Sequence, residues 1–124
     1  MTKTQYDPNK KHYFTQLKKS ELTQFLQDVK RLSFEVTLWE KGQEKSAENY
    51  MLEDVDHDQF ALRLSRKGGS LSKIAASPLV GKDLLLKLPA GKYTYFGVAK
   101  LEYDTQNNAY TAHMGKQIFR SQQR

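Results

Sequence analysis

The hydrophobic period of the chain changes once, and that change dictates what it can fold into. Leu22, Phe25, Leu26 and Val29 recur at i, i+3, i+4 and i+7, the spacing of one apolar stripe along an α-helix. Ser20 stands where an N-cap hydroxyl is expected, Glu21 suits the positive end of the helix dipole, and Lys30 and Arg31 suit the negative end. From Phe34 onward the period is two. Phe34, Val36 and Leu38 alternate with Glu35, Thr37 and Trp39, as in a strand with one buried face.

The rest of the chain reads as further short strands between turn residues. Lys41-Gly42-Gln43 is a turn, and strands are predicted over Asn49 to Asp54 and Gln59 to Ser65, with Phe60, Leu62 and Leu64 on one face. Between them, Asp54-Val55-Asp56-His57-Asp58 supplies side chains that hydrogen-bond their own backbone in turns. Arg66 to Ser70 reads as a flexible loop, and Leu71 to Pro78 reads equally as a short helix or an irregular crossing. Asp83 to Leu88 is a central strand ended by Pro89-Ala90-Gly91. Tyr93 to Tyr103 is an aromatic strand, and its partner runs from Ala109 towards Phe119 with a bulge or bend at Gly115.

One helix and about six strands joined by short turns, with no crossover helices, predict a mainly β fold. The expected architecture is a small antiparallel six-stranded, split-barrel-like β-barrel with one N-terminal helix. At 124 residues the chain suffices for one core. The expected organisation is a polar lead-in over 1–19, the barrel with its helix over 20–119, and an arginine-bearing segment over 120–124. The first residues, Met1 to Tyr6, put no apolar stretch behind their charge, unlike a signal peptide. No apolar run nears the roughly 20 residues of a membrane span. Cysteine is absent, which removes thiolate chemistry and fits a reducing cytoplasm.

Charge is uneven. Residues 1–62 sum to −2 and residues 63–124 to +8, so the second half offers a basic surface to nucleotide phosphate, nucleic acid, acidic protein or anionic lipid. No nucleophile elbow, zinc helix or phosphate loop occurs, and His12, His57 and His113 are far apart. A binding role is therefore expected rather than an enzyme, with no cofactor. The acidic run Glu53 to Asp58 lacks the spacing of a calcium loop and reads as a solvated turn. Gly68-Gly69-Ser70, beside Arg66 and Lys67, can form a phosphate nest but reads first as a connection. Tyr93, Tyr95 and Phe96, near Lys92 and Lys100, can stack bases, although alternation places Phe96 on the opposite face from the tyrosines. Arg120 and Arg124, four apart after the last strand, are a guanidinium pair suited to a dinucleotide.

Asn49-Tyr50-Met51-Leu52-Glu53-Asp54-Val55-Asp56, the strand order that follows it, and the ending Phe119-Arg120-Ser121-Gln122-Gln123-Arg124 carry a family likeness. Over about residues 32–124 the chain resembles the N-terminal domain of YcgR-like PilZ proteins. The resemblance implies a small split barrel followed by a linker whose Arg-x-x-x-Arg motif grips cyclic di-GMP together with an adjacent PilZ domain. Two registers are open: Arg120 and Arg124 form the pair, or Arg124 opens it. The Asp/Asn-x-Ser-x-x-Gly half of that site is absent from these 124 residues. The resemblance further implies a cytoplasmic signalling role, with a flagellar motor protein or another regulatory protein as partner. The alternatives are a basic barrel for single-stranded nucleic acid, the less expected partner, and a flavin-binding split-barrel enzyme.

Overall fold

In a computed structural model, residues 13–66 and 76–122 are described, and their apolar alternation closes on itself. Helix α1 spans Leu22–Leu32 and is entered through a 3-10 turn at Lys19–Glu21. Eight strands follow the chain: β1 Tyr13–Gln16, β2 Glu35–Glu40, β3 Glu48–Asp56, β4 Ala61–Arg66, β5 Asp83–Ala90, β6 Tyr93–Asp104, β7 Ala109–Met114 and β8 Phe119–Gln122. Strands β2, β3, β4, β7, β6 and β5 pair in that order, and β5 returns to β2. The result is a closed, six-stranded antiparallel β-barrel with a single N-terminal helix, as the periodicity predicted. Closure removes the open edges of these six strands.

The inward rows come from the alternation itself. Val36 and Leu38 of β2, Leu62 and Leu64 of β4, and Leu84, Leu86 and Leu88 of β5 are almost fully buried. Phe25, Leu26 and Val29 of α1 join the same core. Phe25 lies between the rings of Phe60, at 6.0 Å, and Tyr95, at 4.9 Å. Phe60 holds a left-handed backbone (φ 53°), uncommon for a bulky side chain. The Gly91-Lys92 turn between β5 and β6 favours glycine. Its φ is 65°, and an added Cβ would sit 3.1 Å from Leu32 Cδ1.

Several expectations are corrected. The helix entry is not capped by Ser20, which lies inside the 3-10 turn; the Glu21 carboxylate instead accepts the Lys18 N–H at 2.7 Å. Phe34 does not share the buried face of Val36 and Leu38. It precedes the strand and is 77% exposed. The strand ending at Leu88 continues through Pro89 to Ala90, with Pro89 opposite Thr94. The strand expected from Ala109 to Phe119 is two strands. The segment around Gly115 separates β7, on the second half of β6, from β8, on its first half. Residues 13–16, inside the expected lead-in, form β1 on the far side of β8. The Gly68-Gly69-Ser70 loop and residues 71–75 lie outside the described residues, whereas Ala76 to Val80 make an irregular turn.

Candidate functional site on the β8 strand

Arg120 is positioned by strand register. It stands opposite Tyr95 of β6 on one side and Thr15 of β1 on the other. Directly opposed residues share a face, and alternation puts Tyr93 on that face too. The Arg120 guanidinium lies 4.6 Å from the centroid of the Tyr93 ring, within cation–π range. Tyr93 and Tyr95 stand 6.3 Å apart, and Tyr95 packs edge-on against Phe25. Burial pushes the Tyr95 hydroxyl above its ordinary pKa, and the Asp28 carboxylate adds to this; the nearby Arg120 acts in the opposite direction. Asp28, on α1, accepts from Gln24 Nε2 at 2.9 Å and Arg31 at 3.1 Å.

This is a half-buried cation already lying over an aromatic ring. Such an arginine anchors the last strand first, and only its remaining N–H groups are left for an anion. Arg124, the second expected ligand residue, lies outside the described residues, so the two arginines are not brought together within them.

The other sequence-level candidates resolve into ordinary structure. Tyr95 is buried and the Tyr93 ring is covered by Arg120. Phe96 faces the other way and meets Phe14 at 5.3 Å. These three rings therefore make no shared stacking platform. In the acidic run, Asp54 accepts the Val55 N–H at 2.8 Å and pairs with Lys30 at 3.5 Å. That backbone bond, with Lys30 beside it, holds the Asp54 carboxyl below its usual range. Asp56 accepts the Gln59 N–H, and Glu53 accepts from Ser65. Among the described residues, no group of three or more His, Cys, Asp or Glu side chains is placed to hold a metal ion. His113 pairs with Glu102 at 2.9 Å. No helix among the described residues is long and apolar enough to cross a membrane.

One polar cluster escaped the sequence. Glu48 of β3 accepts from the Tyr50 hydroxyl at 2.7 Å and the Ser77 hydroxyl at 2.6 Å, both on Oε1, while Arg66 meets Oε2 at 3.0 Å. The Ser77 N–H donates to the Tyr110 hydroxyl at 3.1 Å, and the Tyr50 and Tyr110 rings meet edge-on at 5.4 Å. Desolvation raises the Tyr50 hydroxyl far above an ordinary phenol. Both carboxylate oxygens are engaged, so the cluster reads as a lock tying β3 and β4 to the turn before β5. Only the Glu48–Tyr50 pair, two apart on one strand face, left any signal in the sequence.

No family model matches the chain, and no curated protein or solved structure matches it significantly.

Proposed function

We propose that this domain is a non-catalytic interaction module of a cyclic di-GMP-responsive PilZ protein. The observation that carries the reading is the seating of β8. The strand that carries Arg120 is not a loose tail but lies between β6 and β1, with Gln122 opposite Tyr93 at the β5–β6 hairpin. A segment leaving such a strand starts from a fixed direction. Ordering of that segment by a nucleotide is then felt by the barrel. The closed barrel and the basic second half of the chain also support a binding role.

The engagement of Arg120 with Tyr93 favours the register in which Arg124 opens the Arg-x-x-x-Arg motif. In this reading the barrel works in the cytoplasm and meets a flagellar motor protein or another regulatory protein. The nucleotide is held jointly with an adjacent PilZ domain. The test is a calorimetric titration of cyclic di-GMP against this chain and against a version extended through a following PilZ domain. The extended protein is expected to bind and the isolated chain not to. Failure of the extended protein to bind removes the nucleotide assignment.

A further inference from the structure

The outer wall of the barrel carries apolar side chains where alternation ordinarily places polar ones. Trp39 of β2, Leu85 of β5 and Val98 of β6 stand opposite one another across three strands, all on the solvent side. Phe96, Phe119 and Phe14 continue the patch over β6, β8 and β1, since Phe96 opposes Phe119 and its ring meets Phe14. Val98 is 50% exposed and Phe14 58%. The Leu85–Val98 row separates two shallow grooves. One, of about 380 Å³, is lined by Phe14, Trp39, Phe96 and Phe119; the other, of about 390 Å³, reaches Lys41, Lys100 and His113. A contiguous apolar patch of this kind marks an interaction site more often than an accident of composition.

The charges around the patch say what covers it. Glu40 and Asp83 are ion-paired with Lys82 and Lys100, and Glu102 shares a hydrogen bond with His113. Lys87, opposite Phe96 and Thr37, has no ion pair among the described residues, and neither do Lys41 and Lys116. The uncompensated charge is positive. That disfavours a second copy of the same surface and complements carboxylates.

We infer that this wall is the docking surface for a partner-protein segment bearing bulky apolar side chains flanked by carboxylates. The inference rests on the interaction-module reading only in that the domain acts by binding a protein. It does not depend on the nucleotide.

The experiment uses the full 124-residue protein and two panels of short fluorescent peptides. One panel combines Leu and Phe with Glu, and the other carries Lys in place of each Glu. Anisotropy is expected to show binding within the Glu panel only, with NMR amide shifts concentrated on β5 and β6. Val98→Glu replaces an exposed side chain, and its fold is checked by circular dichroism. It is expected to weaken binding at least about tenfold. Lys87→Glu is expected to weaken it as well and to admit peptides of the Lys panel. The inference is overturned by silence across the Glu panel, by equal binding of both panels, or by indifference to Val98→Glu. A concentration-dependent dimer broken by Val98→Glu overturns it too, giving the wall to a second copy. Peptide binding without cyclic di-GMP binding by the extended protein removes the nucleotide reading alone, and the reverse pattern removes only this surface.

Discussion

The Arg120 guanidinium rests 4.6 Å from the centre of the Tyr93 ring, on the neighbouring strand. It thereby clasps β8 to β6 where, among the described residues, four residue pairs join the two strands. A cation over an aromatic face contributes about 0.5–1 kcal/mol when exposed and about 2 kcal/mol when desolvated. Arg120 is half-buried, so Arg120→Ala is expected to cost about 1 kcal/mol in urea unfolding. A double-mutant cycle with Tyr93→Leu should return a coupling near that value, and Arg120→Lys, which keeps the charge but loses the planar face, should recover only part of it. A coupling of zero removes the clasp.

The same contact separates the two registers of the arginine motif. In a protein extended through a PilZ domain, Arg124→Ala is expected to abolish measurable cyclic di-GMP binding. Arg120→Ala should leave the affinity within about threefold, because its energy belongs to the strand rather than to the ligand. Equal losses in the two variants would make Arg120 a ligand residue and the stacking on Tyr93 a resting state.

Tyr50 makes a prediction about pH. Burial raises its hydroxyl far above the ordinary phenol value, so the folded protein holds it neutral where an unfolded chain ionises it at about pH 10. The stability this contributes is complete below that pH and falls as pH rises towards the folded-state value. Urea midpoints should therefore decline steadily above about pH 10. Tyr50→Phe should flatten that decline while costing about 1 kcal/mol at neutral pH, through loss of the bond to Glu48. Phenolate absorbance checks the same point: Tyr50 and Tyr95 should ionise late, together with unfolding.

What the sequence made legible was whatever burial writes into a period. The α1 stripe of Phe25, Leu26 and Val29 and the alternation of Val36 with Leu38 both face the core, so both are visible. Strand β1 was not. Its exposed residues Phe14, Thr15 and Gln16 bury no face, and their partners at 119–121 are supplied by the other end of the chain. Phe34 misled for the complementary reason: its parity matches Val36, but the strand begins one residue later. The arginine spacing at 120 and 124 was visible, whereas the Tyr93 clasp requires the β6–β8 register. Glu48, Arg66 and Ser77 meet only through the barrel, and Trp39, Leu85 and Val98 form a row only when three strands are aligned. Such long-range register is not encoded in any local period.

Gly97 tests the packing beneath that row. Its backbone lies so close to Ile118 that a Cβ would fall 2.9 Å from Ile118 Cδ1, and Ile118 is fully buried just before β8. Ile118 belongs to the buried core, so Gly97→Ala crowds the junction between β6 and β8 unless the Ile118 side chain shifts. The expected cost is about 1–3 kcal/mol in urea unfolding. Combining it with Ile118→Val removes the Cδ1 methyl that the new Cβ meets. The pair should then be more stable than the sum of its two single costs allows, by about 1 kcal/mol. Strict additivity of the two substitutions would mean that the strands separate to admit the methyl group, and that β8 is held by Arg120 and its backbone ladder rather than by close packing on β6.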